Sequence, residues 1–172
     1  MGTLNTTNLN VTGNWSSAPA GTIIQMQTAE TTPARQTISS LTPVAITDLS
    51  INFTPKNSTS KIIIQAYINA SHTYVSSYGI FEDGSATNST SGYTNTNEGD
   101  MDMTFWSGSS GSDLLWATTF HTVLDASSTT TRTYQVYATS GWNGSTYTLY
   151  INNRGPNDMA SVSRMIIYEV AT

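Results

Sequence analysis

Residues 49–68 read LSINFTPKNSTSKIIIQAYI. The first part alternates strictly: Leu49, Ile51 and Phe53 fall on one side of an extended chain, and Ser50, Asn52 and Thr54 on the other. A period of two marks a strand with one face on a core and one in water. Pro55 ends the alternation, because proline has no N–H to give to a central ladder. Lys56, Asn57, Ser58, Thr59 and Ser60 then supply turn chemistry. Beyond the turn the rule changes. Ile62, Ile64, Ala66 and Ile68 form a core face, while Lys61, Ile63, Gln65 and Tyr67 form a second face that is half apolar. Antiparallel sheets commonly keep one wet side. An apolar second face therefore predicts either a covering subunit or a central strand buried on both sides within one chain.

Period-two segments separated by turns continue along the chain. Strands are expected over 21–28, 44–54, 60–70, 77–86, 103–106, 114–125, 132–140, 146–152 and 163–171, with an Asp-Gly turn at Asp83-Gly84 and a long polar loop over 87–102. The last strand is again two-sided, Arg164, Ile166, Tyr168 and Val170 alternating with Met165, Ile167 and Glu169. Eight to ten such strands fit an all-β chain of two packed antiparallel sheets, with essentially no helix. Residues 1–20 read as an N-terminal arm anchored by Leu4, Leu9, Val11 and Trp15, and residues 21–172 as one domain.

Composition sharpens this reading and narrows the function. Charged residues are 10% of the 172, against about 25% in an average domain. Ser, Thr, Asn and Gly take their place, which suits strand faces and loops and starves helices of i,i+4 ion pairs. The net charge of −5 opposes binding to a nucleic-acid polyanion. The longest apolar runs are a few residues, short of a membrane-inserted helix. Cysteine is absent, which removes disulfides, thiol nucleophiles and Cys-based zinc sites.

Catalytic chemistry finds little purchase. His72 and His121 are the two histidines, Ser71 precedes the first, and there is no G-x-S-x-G elbow. Glu98, Asp100 and Asp102 cluster in one loop, offering calcium the right kind of oxygen but not an EF-hand spacing. The expectation is a protein without enzyme activity or cofactor. Binding is better supported. Trp106, Trp142, Tyr78, Tyr93 and Tyr147 lie in or beside Ser/Gly/Asn-rich segments, with Asn143 next to Trp142. Flat aromatic faces beside amides and hydroxyls suit sugar rings or adaptable protein recognition.

The ordered set TPKNSTSK (54–61), FEDGS (81–85), VLDASSTTTRTYQVYA (123–138), YIN (150–152) and SRMIIYEVA (163–171) resembles the tumour-necrosis-factor and complement-head jelly roll found in bacteriophage fibres and related virion proteins. The resemblance implies a homotrimer whose inner sheets meet around a threefold axis. Carried onto this chain, it puts strands 61–68 and 163–170 at the axis, with Ile63, Gln65, Tyr67, Met165, Ile167 and Glu169 as interface residues. It also implies that the leader LNTTNLNVTGNW (4–15) attaches the head to other virion proteins, of capsid or tail. Distal loops would then touch a host glycan or protein through Tyr93, Trp106, Trp142, Asn143 and Tyr147. A capsid decoration protein of purely structural role is the alternative, and a stand-alone carbohydrate-binding module a third.

Overall fold

The computed structural model describes residues 18–72, 74–87, 103–106, 115–142, 144–154 and 158–172. They form strands and no helix. In chain order these are β1 (Ile23–Glu30), β2 (Gln36–Ile38), β3 (Val44–Phe53), β4 (Lys61–His72), β5 (Val75–Glu82), β6 (Ser85–Ala86), β7 (Met103–Trp106), β8 (Trp116–Asp125), β9 (Arg132–Thr139), β10 (Gly141–Trp142), β11 (Ser145–Thr146), β12 (Leu149–Ile151), β13 (Asn153–Arg154), β14 (Asp158–Ala160) and β15 (Arg164–Val170).

Two antiparallel sheets pack face to face as a jelly-roll sandwich. The first runs β1-β15-β4-β8, with β12 lying beyond β15 along the same side of β4 and β2 pairing with β12. The second runs β3-β9-β5, and β6 and β7 both pair with β5. Sequence neighbours such as β3 and β4 therefore sit in opposite sheets. Ile62, Ile64, Ala66 and Ile68 from the first sheet meet Leu49, Phe53, Ile80, Tyr134 and Val136 from the second in a single core.

Three local features explain how the sequence reaches this arrangement. In β3, Ile46 breaks parity with Leu49, Ile51 and Phe53, yet all four are buried. The register against β9 shifts between Ala45 and Ser50, and Asp48 in that interval takes φ +68. This bulge turns Ile46 back onto the core face. At the end of β5, Asp83 (φ +48) and Gly84 (φ +82) form a two-residue hairpin loop, as the Asp-Gly pair predicts. An added Cβ at Gly84 meets nothing within 4 Å, so Gly84→Ala reads the backbone cost alone. It is expected to lower stability by about 1 kcal/mol in a urea titration.

The third feature is an interrupted strand. β12 pairs Ile151 with Ala70, and the Asn152 N–H bonds the Asn69 carbonyl. The ladder resumes one step along β4, at Ser163, before Arg164 opposite Tyr67. The short β13–β14 pair thus stands outside one continuous row. A buried polar knot closes the gap. Asn152, at φ +62, donates to Thr31 Oγ1 and the Thr32 carbonyl, and Ser163 Oγ donates to Asn152 Oδ1. The Asn69 N–H in turn donates to Ser163 Oγ. The expected strands over 146–152 and 163–171 are the two parts of this row.

Candidate functional site: the water side of the β1-β15-β4-β8 sheet

Cross-strand register places the outward side chains of this sheet in four rows. Nearest the chain's entry, Ile23 faces Val170, and Val170 faces Lys61, which faces Asp125. The second row is Met26, Tyr168, Ile63 and Val123; the third is Thr28, Ile166, Gln65 and His121; the fourth is Glu30, Arg164, Tyr67 and Thr119. The second row is apolar across all four strands. Its two end residues are the most open, Met26 at 56% and Val123 at 53% exposure, and Ile23 beside them is also 56% exposed. An antiparallel sheet with a wet side needs no such row. Contiguous apolar side chains on a surface are the kind of patch that interaction sites use.

Ion pairs close the belt above and below, on opposite flanks. Lys61 Nζ meets Asp125 Oδ1 at 2.6 Å on the β4–β8 side, and Arg164 Nε meets Glu30 Oε2 on the β15–β1 side. Tyr67, 39% exposed, donates its hydroxyl to Gln65 Oε1 at 3.2 Å. Two shallow grooves score the same face. One of about 420 Å³ is lined by Gly21, Ile23, Ile63, Gln65, Tyr168 and Val170. The other, of about 400 Å³, is lined by Tyr67, Asn69, Val162, Arg164 and Ile166.

Ile63, Gln65 and Tyr67 thus share the outward face, but the expected set on β15 is corrected. Met165, Ile167 and Glu169 are fully buried and face inward; Arg164, Ile166, Tyr168 and Val170 point out instead. The cause is register. Met165, Ile167 and Glu169 lie directly opposite Ala66, Ile64 and Ile62, the core face of β4, and opposed residues share a side. Burying a carboxylate among apolar residues is costly unless it is hydrogen-bonded. Glu169 is: Oε1 accepts from the Asn57 N–H at 2.8 Å, Oε2 from the Lys56 N–H at 2.8 Å and from Gln25 Nε2 at 2.7 Å. The corner after Pro55 is folded around this group. The Gln25 side chain also donates to the Thr54 carbonyl, tying β1 to the same corner.

The aromatic candidates divide. The backbones of Trp106 and Trp142 come to one end of the sandwich: Trp106 pairs with Val75, and the β10–β11 hairpin follows Ser140, whose hydroxyl bonds the Val75 carbonyl. Tyr147 reaches the same end and packs on Tyr74, ring centroids 4.8 Å apart. Trp116, 38% exposed, starts β8 there opposite Ala70, a residue whose outward aromatic character sequence reading passed over. Tyr78 does not belong with them. It is buried in the core, its hydroxyl accepting from Ser76 Oγ at 3.1 Å. The described chain begins at the opposite end, where the Gly21 N–H bonds the Ala171 carbonyl. Tyr93, Asn143 and the arm residues Leu4, Leu9, Val11 and Trp15 lie outside the described residues, as do Glu98, Asp100 and Asp102.

Burial pushes the Tyr78 phenol up to about 12, against an ordinary value of 10.0, with the Ser76 hydroxyl opposing slightly. Burial, with the nearby Glu82 charge adding, raises Tyr134 as well. A group whose acid form is favoured by folding gives stability that is present below the unfolded value and lost as pH climbs through the folded one. Urea midpoints are therefore expected to be flat near pH 8 to 9 and to fall between pH 10 and 12. Tyr78 alone contributes about 1 kcal/mol of loss at pH 11, and Tyr78→Phe should flatten that descent.

Among the described residues, no group of three or more His, Asp or Glu side chains is placed to hold a metal ion. Ser71 is buried, and His121 stands exposed across from Gln65. No protein-family model matches the chain, and no curated protein matches its sequence.

Proposed function

We propose that this chain is a non-enzymatic virion structural protein, the homotrimeric head of a bacteriophage surface appendage. The apolar belt Met26-Tyr168-Ile63-Val123 carries the reading. Each large apolar side chain fully removed from water contributes about 1.5–3 kcal/mol, so covering the belt and its neighbours Ile23, Ile166 and Val170 is a strong drive to self-association. The arm attaches the head to other virion proteins, and the far end, where Trp106, Trp116, Trp142 and Tyr147 gather, faces the host surface. Gly21, beside the Ala171 carbonyl, and the aromatic end lie at opposite poles, which supports that division of labour.

Light scattering at micromolar concentration tests the assembly. The expected mass is about three times 18.5 kDa. A particle of 18.5 kDa would remove the basis for the reading. A glycan array probed with the assembled protein tests the aromatic end; binding should be reduced by Trp116→Ala and left intact by changes near Gly21.

A further inference from the structure

A cavity of about 350 Å³ opens between the edges of the two sheets, and none of its lining residues belongs to the apolar belt. β2 borders it in one sheet and the β3 bulge in the other, with Ile46 and Ile151, both fully buried, at its back. One side chain spans the seam. Gln36 of β2 donates through Nε2 to the Ala45 carbonyl and accepts at Oε1 from the Thr47 N–H, each at 2.8 Å. This pair of bonds sets the width of the mouth where the two backbones do not pair.

Two of the four non-glycine residues with positive φ, Asp48 at +68 and Asn152 at +62, line this one cavity. Left-handed backbone outside glycine persists where the surrounding structure imposes it, and it gathers at binding sites. Asn152 is locked in the buried knot with Thr31 and Ser163, which makes that wall rigid. Asp48 is exposed, and among the described residues its carboxylate has no ion-pair partner. The opposite charge on the lining is Arg35, its guanidinium carbon 5.5 Å from the centre of the Tyr150 ring. Thr32, Thr37 and Thr47 complete the exposed rim with hydroxyls.

Such a rim selects against net charge. An anion meets Asp48 and a cation meets Arg35, whereas a neutral molecule rich in hydroxyls offers donors to the carboxylate and acceptors to the guanidinium at once. The volume is near the lower limit of ligand pockets, roughly 300–1,000 Å³, and suits one ring better than a chain.

We propose that this cavity binds a single neutral pyranose, the terminal sugar of a glycan, with Asp48 accepting from neighbouring sugar hydroxyls and Arg35 donating to a sugar oxygen. The inference stands on this cavity alone and needs neither a particular oligomer nor the aromatic end, where Trp116 starts β8.

Saturation-transfer NMR on the full chain, with the methyl glycosides of glucose, galactose, mannose and N-acetylglucosamine as probes, tests it. At least one glycoside is expected to show transfer, with an affinity near millimolar. Asp48→Asn should weaken that glycoside about tenfold or more, the loss of a hydrogen bond to a charged group. Asparagine adopts the left-handed backbone as aspartate does, so the circular dichroism and the urea midpoint should stay near wild type. Arg35→Gln, at an exposed position, is the second variant and should weaken the same glycoside, while Trp116→Ala leaves it unchanged. No transfer from any of the four, or transfer from alanine or inorganic phosphate in their place, would overturn the site. So would binding that survives both cavity variants, and its loss in Trp116→Ala alone would move the sugar to the aromatic end.

Discussion

Glu169→Ala is expected to cost about 3 to 5 kcal/mol of stability, as much as a large core truncation, although it removes no apolar contact of note. The carboxylate sits fully buried and accepts the Lys56 and Asn57 backbone N–H groups and the Gln25 amide. Removing it takes the acceptor from the Lys56 and Asn57 N–H groups, while the Gln25 amide keeps only its bond to the Thr54 carbonyl, at roughly 1–3 kcal/mol for each donor left buried and unpaired. Glu169→Gln keeps the shape and one acceptor oxygen but turns an amide NH₂ toward a donor, so an intermediate loss of about 2 kcal/mol is expected. Urea titration reads both variants, with the m-value unchanged if the fold survives. A shift of the midpoint worth less than about 1 kcal/mol for the alanine variant would mean that the corner between β3 and β4 holds without Glu169. The same residue explains the change of rule at Pro55: the chain leaves one sheet, wraps two amides around a carboxylate of the other, and enters β4.

Ile63→Lys is expected to convert the assembly to monomers at micromolar concentration while leaving the urea midpoint of the isolated chain within about 1 kcal/mol of wild type. Ile63 is at the centre of the belt, between Tyr168 and Val123, and its side chain does not touch the core side of β4. A lysine there is well solvated in the monomer, but in the proposed trimer it would bring three ammonium groups into an apolar contact, at a cost of several kcal/mol. Ile64→Lys, one residue along and fully buried, is the contrasting variant and should unfold the chain outright. Equal loss of fold in both would show that Ile63 is held by its own chain.

The alternation in residues 44–54, 60–70 and 163–171 made the sandwich legible from sequence, and Asp83-Gly84 announced its hairpin. What escaped reading had a physical cause each time. β2 is three residues long, and its Gln36 side chain bonds the Ala45 carbonyl and the Thr47 N–H; nothing in so short a run shows periodicity. The β13–β14 pair that comes between them in sequence hides the continuity of β12 and β15, because continuity is a property of the partner strand. The face of β15 was the main reversal. Arg164, Ile166, Tyr168 and Val170 are as plausible a core set by composition as Met165, Ile167 and Glu169, and a rule that sends glutamate outward fails where backbone amides solvate it. The two-sided character of β4 was read from Ile63 and Tyr67, yet both faces are closed within the chain at β5 instead, where Val75 to Phe81 are buried without exception. The apolar row itself could not be seen in any one strand, since its four members come from four.

Oxidative footprinting of Met26 is the most direct test that the belt is covered. In the isolated chain Met26 is 56% exposed, and a thioether so placed reacts readily. Covering of the belt requires that Met26 be protected in the wild-type assembly and oxidised severalfold faster in Ile63→Lys under the same dose. Equal rates in the two proteins would contradict it, whatever the mass in solution, because the face would then be open to water in both.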